Sequence, residues 1–153
     1  MRRLLFALCL LSYASAAQAQ VPAGTWIKRG ETPLAMVVEP AGAGIKISYK
    51  AVGPDRKPKE PAMMTMETQL DGKETPVLMA DGKPTGQTMA VSRVDATHTT
   101  TVVKFQGKLY GTSSSELSAD GKTLKVENEV PENSMAQSMG QPAGKQVEYW
   151  DKQ

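Results

Sequence analysis

Apolar and polar residues alternate one by one along several short stretches of this chain. The cleanest case is residues 45–51, where isoleucine, tyrosine and alanine fall on one face and lysine and serine on the other. Met64 and Met66 begin a second stretch, sharing a face with Thr68 and Leu70. A period of two is typical of a strand with one buried face. No segment longer than a few residues has a convincing helical period, so the pattern predicts an all-β protein.

Turn residues separate these stretches at short intervals. Residues 53–61 contain three prolines and residues 131–145 are polar, so both predict loops. Four dipeptides favour tight hairpin connections: Asp71-Gly72, Asp81-Gly82, Gln106-Gly107 and Asp120-Gly121. We therefore expect an antiparallel meander of eight to ten short strands, closed as an up-and-down barrel or, alternatively, folded as a β-sandwich.

The hairpin around Asp120-Gly121 predicts a register that can be checked. A one-residue slip in pairing would turn every side chain to the opposite face of the sheet. A two-residue turn places apolar residues opposite one another, whereas a longer loop would place Glu116 opposite Leu124. The preferred register pairs Leu117 with Leu124, Ser115 with Val126, and Ser113 with Asn128.

The same reasoning extends to the two preceding strands. A turn at Gln106-Gly107 pairs Lys104 with Leu109, Val102 with Gly111, Thr100 with Ser113, and His98 with Ser115. A turn at Ala96-Thr97 then pairs Asp95 with His98, Arg93 with Thr100, and Val91 with Val102. The inward face would hold the apolar residues Val91, Val102, Leu109, Leu117, Leu124, Val126 and Val130. It would also hold the polar residues Arg93, Asp95, His98, Thr100, Ser113, Ser115 and Asn128.

A buried face this polar must be hydrogen-bonded or wet, as in a barrel that holds a ligand. Arg93 is the leading candidate, because a guanidinium can clamp a ligand carboxylate with two parallel hydrogen bonds. Alternatively, Arg93 pairs with an acid such as Asp95 or lies outside the barrel. The predicted ligand-binding residues are Arg93, His98, Thr100, Ser113, Ser115, Asn128, Met64 and Met66.

Two sets of residues have both a reactive and a structural interpretation. Asp95, His98 and Ser115 form an acid–base–nucleophile set only superficially, since no strained nucleophile turn or glycine-rich oxyanion loop accompanies them. We expect a structural hydrogen-bond row and no enzyme. Methionines such as Met64 and Met66 could bind Cu(I) through soft thioethers, or could simply fill an aromatic-poor core.

Metal and cofactor sites of other kinds are not expected. The chain has one histidine, and its one cysteine, Cys9, lies near the N-terminus. Zinc and iron–sulfur sites would need more such ligands. The glycines at Gly42 and Gly44 precede a strand, so they are not a phosphate-binding loop. We therefore predict no cofactor and no metal.

The N-terminus has the pattern of a signal peptide over residues 1–19. Arg2-Arg3 precedes an apolar run, and Ala17-Gln18-Ala19 fits the cleavage rule. The run is too short to span a bilayer, although a membrane anchor is the alternative. We expect residues 20–153 to form a single β-domain, periplasmic or secreted. The formal net charge of +2 belongs to the two arginines, so neither nucleic acid nor an anionic membrane is the expected partner.

Gly24-Thr25-Trp26 resembles the G-x-W signature of the lipocalin (calycin) family. This resemblance implies an eight-stranded up-and-down barrel that binds a small hydrophobic or amphipathic molecule, with the tryptophan closing one end. In that family a late-strand arginine packs on the tryptophan; the last strand here offers Tyr149, Trp150 and Lys152. The chain also resembles small secreted bacterial proteins of unassigned function, through Arg93-x-Asp95 and the turn at residues 118–124.

The predicted function is an exported binding module for a small hydrophobic or amphipathic ligand, for which Arg93 could orient a carboxylate. Two alternatives stay open. One is a structural or interaction domain of the cell envelope with a filled interior. The other is Cu(I) binding by methionines.

Overall fold

A computed structural model describes residues 22–153, so the predicted signal peptide lies outside the described residues. Ten strands and one short helix, α1, make up this part of the chain. The strands are β1 (Gly24–Lys28), β2 (Leu34–Ala41), β3 (Gly44–Ala51), β4 (Met64–Thr68), β5 (Asp71–Met79), β6 (Pro84–Arg93), β7 (His98–Phe105), β8 (Lys108–Leu117), β9 (Thr123–Val130) and β10 (Gly144–Lys152). The helix α1 spans Met135–Ser138.

The strands form one closed antiparallel barrel in which each strand pairs with its neighbours along the chain. Closure comes from β1, which pairs with both β2 and β10. The predicted all-β meander is confirmed, and it closes as a barrel rather than a sandwich. The barrel has ten strands, whereas the lipocalin resemblance implied eight.

The antiparallel order assigns each connection to one end of the barrel. The Gly24 end, where β1 begins, carries the connections at residues 42–43, 69–70, 94–97 and 118–122. The Lys28 end, where β1 finishes, carries those at residues 29–33, 52–63, 80–83, 106–107 and 131–143. The core fills the interior with apolar side chains, among them Trp26, Val38, Ile45, Met66, Val77 and Trp150.

The predicted register of the β8–β9 hairpin is confirmed. Leu117 pairs with Leu124, Ser115 with Val126, and Ser113 with Asn128. The turn is held by Ser118, whose backbone N–H donates to the Thr123 carbonyl at 2.8 Å. Inward-facing residues of β8 therefore have odd numbers from 113 to 117.

The predicted register between β7 and β8 is wrong beyond the turn. Lys104 pairs with Leu109 as expected, but Val103 pairs with Gly111, so Tyr110 is an extra residue in a β-bulge. Thr99 consequently pairs with Ser115, and the inward residues of β7 are Thr99, Thr101 and Val103. His98, Thr100 and Val102 lie on the outer face, as does Leu109.

A second shift separates β6 from β7. Arg93 pairs with Thr99 and Val91 pairs with Thr101, so the predicted pairings of Arg93 with Thr100 and Val91 with Val102 are also wrong. The Val94 N–H donates to the His98 carbonyl at 3.0 Å, which makes the connection one residue longer than a turn at Ala96-Thr97. The two shifts cancel at β6, and Val91 and Arg93 share the inward face.

The sequence Gly24-Thr25-Trp26 in β1 has a structural reason. Lys152 pairs with Trp26, and its Nζ lies 5.8 Å from the centre of the indole ring. A Cβ at Gly24 would lie only 3.0 Å from the Lys152 Cε, so glycine leaves room for the lysine stem. Trp26 is completely buried, and its indole N–H donates to the Pro22 carbonyl at 3.2 Å. Lysine here covers the tryptophan where the lipocalin resemblance implied an arginine.

Part of the outer face of the barrel is covered. Ile27 and Ala35 pair on the outer side of β1 and β2, yet 1% and 0% of their surfaces are exposed. The β3–β4 connection, residues 52–63, lies beside them. Its Glu60 forms an ion pair with Lys50, which pairs with Ala35 across the sheet. We infer that this connection folds against the outer face of β2 and β3.

The pair of neighbouring strands with the fewest paired residues is β4 and β5. Only Met64 with Met79 and Thr65 with Leu78 are partners there, whereas β9 and β10 share eight pairs. Leu70 lies between these strands with a positive φ of 58° and is buried in the core. Its N–H donates to the Thr68 hydroxyl at 3.0 Å, and its carbonyl accepts from the Arg93 N–H at 3.0 Å. Leu70 thus fills the interior where the two strands diverge.

Residues 22–153 contain no helix with the length and apolar character that a membrane crossing requires.

Candidate functional site

A cavity of about 300 Å³ lies inside the barrel. One wall is apolar and comes from β2, β3, β4, β6 and the β4–β5 connection, with Met36, Ile45, Ile47, Met66, Leu70, Met89 and Val91. The opposite wall comes from β7, β8 and β9 and carries the polar residues Thr99, Thr101, Ser113, Ser115 and Asn128. Every second residue of each strand faces inward. These residues are apolar in β2, β4 and β6, whereas those of β7, β8 and β9 include hydroxyls and an amide.

The polar wall is only partly satisfied by the protein itself. The hydroxyls of Thr99 and Ser115 share a hydrogen bond of 2.6 Å between directly paired residues. The side chains of Thr101, Ser113 and Asn128 make no hydrogen bond to any residue within 22–153. Polar groups in a cavity need partners, so these three side chains can hydrogen-bond a bound molecule or water.

An ion pair lies at the edge of the same cavity. Lys28 Nζ lies 2.5 Å from Glu148 Oε1, and 31% and 23% of their side chains are exposed. Lys28 shares the inward face of β1 with Trp26, and Glu148 shares the inward face of β10 with Trp150. These are the two charged residues among those that line the cavity.

Tyr49 extends the apolar wall toward this ion pair. Its ring lies edge-to-face with Trp150, the centroids being 6.4 Å apart. Burial raises the pKa of the Tyr49 phenol, and the nearby Glu148 carboxylate raises it further. The phenol therefore stays protonated at neutral pH and keeps an O–H donor beside the cavity.

A second hollow of about 230 Å³ adjoins the cavity at the Lys28 end. The two share the lining residues Met89, Val103, Ser113, Asn128 and Glu148. Gln141, which is exposed in the β9–β10 connection, also lines this hollow. The hollow gives the interior a route toward solvent beside that connection.

The structure brings together half of the predicted ligand-binding residues. Ser113, Ser115, Asn128 and Met66 line the cavity. Met64 packs against the same core without lining the cavity. His98 and Thr100 were expected to face inward, and that placement is wrong, because the bulge at Tyr110 turns them outward.

Arg93 faces inward at the Gly24 end but does not line the cavity. Its Nε is buried and has no hydrogen-bond partner among the described residues. The expected alternatives of an ion pair with Asp95 or a position outside the barrel are not what the structure shows, since Asp95 pairs instead with His98. A desolvated guanidinium nitrogen without a partner is energetically costly.

His98 lies beside a hollow of about 390 Å³ on the outer surface, between two acids. Its Nδ1 is 2.9 Å from Asp95 Oδ2, and its Nε2 is 3.8 Å from Glu116 Oε1. Hydrogen bonds from the Thr97 N–H and from His98 lower the pKa of Asp95 to about 2. Ser115 faces inward toward Thr99, so the triad of Asp95, His98 and Ser115 is not assembled.

Of the methionines considered as copper ligands, Met66 is buried in the core and Met64 packs against that core, so both thioethers take part in apolar packing. Within residues 22–153 there is also no cluster of three or more histidine, cysteine, aspartate or glutamate residues suited to a metal ion.

Comparisons with known proteins add no family to this description. No protein-family model matches the chain, and no curated protein matches it either.

The charged and aromatic residues at the cavity were not among those predicted from sequence. Lys28, Tyr49 and Glu148 each lie two residues from, or opposite, a large apolar side chain that faces inward. Because side chains alternate along a strand, Trp26 and Trp150 could have placed Lys28 and Glu148 on the inner face. The sequence prediction did not place any charged residue of the first or last strand inside the barrel.

Proposed function

We propose that this protein binds a small amphipathic molecule inside its barrel. The cavity with one apolar and one polar wall carries this proposal. An apolar chain would lie against Met36, Ile47 and Met66, and a polar group would meet the hydroxyls and amide of β7, β8 and β9. Apolar walls with a few polar groups are the usual make-up of a small-molecule site.

The volume limits the size of the ligand. The interior of about 300 Å³ is at the small end of the roughly 300–1,000 Å³ range of ligand pockets. The adjoining hollow at the Lys28 end supplies further room for a head group. The barrel and the covered Trp26 support a lipocalin-like mode of binding. The signal-peptide pattern of residues 1–19 supports export.

A fluorescent probe tests the proposal directly. N-phenyl-1-naphthylamine is uncharged and brightens in apolar surroundings, so the parent protein should raise its emission with saturable binding. Ser113→Phe should abolish most of this signal, because the new ring would occupy the cavity. Ser114→Phe is the matched control, since Ser114 lies one residue away on the outer face.

Two results would contradict the proposal. One is the absence of saturable probe binding by the parent protein. The other is an equal loss of binding in Ser113→Phe and Ser114→Phe with both variants folded by near-ultraviolet circular dichroism. If neither result is obtained, native mass spectrometry of protein purified from its own host identifies the molecule that co-purifies.

A further inference from the structure

The charge of the cavity indicates which class of amphiphile it accepts. Lys28 and Glu148 are the charged residues that line it, and their charges cancel. The adjoining hollow adds one acid, Glu129, which is exposed to solvent. We propose that the cavity selects an uncharged amphiphile with a hydroxyl or amide head group, over both fatty carboxylates and alkylamines. This inference rests on the proposed function and narrows its ligand.

The ion pair itself opposes a charged head group. Lys28 Nζ and Glu148 Oε1 are already 2.5 Å apart. A ligand carboxylate could reach Lys28 only by displacing Glu148, which would leave a partly buried carboxylate unpaired beside a like charge. An ammonium group would displace Lys28 from Glu148 with the same kind of cost. A charged head group of either sign therefore forms one ion pair at the expense of the existing pair between Lys28 and Glu148.

An uncharged polar head avoids this exchange. The ammonium of Lys28 has three donors and the carboxylate of Glu148 about four acceptor sites, so their mutual bond leaves others free. A hydroxyl can accept from Lys28 and donate to Glu148 without separating them. Tyr49, Asn128 and Ser113 line the same cavity and supply further uncharged partners.

The other inward-facing cations do not change this balance. Arg93 ends β6 and Lys152 ends β10, so both lie toward the Gly24 end. Neither is among the residues that line the cavity, and Lys152 already covers the Trp26 ring. A carboxylate held in the cavity would therefore have Lys28 as its cationic partner, in competition with Glu148.

Three ligands of equal chain length test the inference. Octan-1-ol, octanoate and octylamine should compete with N-phenyl-1-naphthylamine at pH 7, where the last two are charged. The parent protein should bind octan-1-ol at least about tenfold more tightly than either ion, a difference of about 1.4 kcal/mol. Equal or tighter binding of octanoate or octylamine would overturn the inference and leave the binding function intact.

Charge variants should reverse the preference in opposite directions. Glu148→Gln should raise the affinity for octanoate about tenfold or more, because Lys28 is then uncompensated. Lys28→Met should do the same for octylamine, and the double variant should again prefer octan-1-ol. The matched control is the outer ion pair of Lys125 and Glu127, 3.1 Å apart, where Lys125→Met and Glu127→Gln should change no preference.

The outcomes separate the two levels of the proposal. Failure of the parent protein to bind the probe and all three octyl compounds would overturn the proposed function, and this inference with it. Binding of octan-1-ol with no reversal in folded Glu148→Gln and Lys28→Met would overturn the role of the ion pair alone.

Discussion

Arg93 lies directly opposite Thr99 in the β6–β7 pair and faces the interior of the barrel. Thr99 in turn donates or accepts a 2.6 Å hydrogen bond with Ser115, so its hydroxyl is engaged on the other side. The Arg93 Nε is left buried without a partner among the described residues. The consequence is a cost to stability at the Gly24 end that a substitution can remove.

Arg93→Met should make the protein more stable, or leave it unchanged, because methionine retains much of the apolar stem and removes the desolvated nitrogen. An unsatisfied buried polar group costs about 1–3 kcal/mol, so a gain of about 1 kcal/mol is expected. Urea unfolding followed by tryptophan fluorescence measures it. As a control, Arg29→Met removes an exposed pair with Asp151 at 2.7 Å and should cost less than about 1 kcal/mol. A loss above 2 kcal/mol in Arg93→Met would show that the guanidinium stabilises the fold.

Leu70 should respond to glycine differently from an ordinary core residue. Leu70→Ala should cost roughly 2–5 kcal/mol through the cavity it leaves. Leu70→Gly should cost no more than Leu70→Ala, because a φ of 58° costs an L-residue about 1–2 kcal/mol that glycine avoids. At Val77, which is fully buried in β5, Val77→Gly should be less stable than Val77→Ala by about 0.5–1 kcal/mol. The same order at both positions, in urea midpoints, would contradict the strain at Leu70.

The cation over the Trp26 ring should contribute measurably to stability. Lys152→Met keeps an apolar stem and removes the charge 5.8 Å from the ring centre, so a loss of about 0.5–2 kcal/mol is expected. Lys152→Arg should retain most of the stability, since guanidinium also stacks on indole. Thermal unfolding followed by tryptophan fluorescence distinguishes the two variants. Equal losses in both variants would mean that packing of the lysine stem, rather than its charge, stabilises this end.

Stability should fall at low pH through Asp95. Hydrogen bonds from the Thr97 N–H and then from His98 lower its pKa to about 2 in the folded protein, below the ordinary 3.8. Its contribution is therefore complete above about pH 4 and is lost as the pH falls through about 2. Asp95→Asn cannot titrate, so its urea midpoint should fall less than that of the parent protein between pH 5 and pH 2. Glu132→Gln, at an exposed position, is the control and should follow the parent. Parallel curves for parent and Asp95→Asn would refute the assignment.

Much of the fold could be predicted from the alternation of residues and the turn dipeptides. The all-β meander followed from the pattern, and the β8–β9 register is the one that a two-residue turn at Asp120-Gly121 predicts. The turn itself differs, because Ser118 pairs with Thr123 around a four-residue loop, and the even number of loop residues keeps the same pairing. The error began at Tyr110, where one extra residue changes the face of everything beyond it.

A glycine in β8 could have indicated this bulge. Gly111 lies within β8, and a Cβ there would come within 2.9 Å of the Glu129 carbonyl oxygen. Glycine inside a strand often marks a bulge or a close backbone approach. Using this rule would have turned His98 and Thr100 outward and Thr99 and Thr101 inward. Alternation could place Lys28 and Glu148 on the inner face, but their pairing follows only from joining the first strand to the last, which closure of the barrel decides.

Two extra residues flank β7: Tyr110 in the bulge on its β8 side, and one residue in the β6–β7 connection, where five residues lie between Arg93 and Thr99. Each one changes which face of the neighbouring strand points inward, so together they leave the orientation of β6 unchanged. Removing a residue at one place alone would turn the inner side of β6 to solvent and expose Val91. Removing one residue at each of the two places would exchange the inner and outer faces of β7 and leave β6 as it is. Length changes at these two positions should therefore be inherited together, and β7 is the strand whose two faces evolution can exchange most easily without dismantling the barrel.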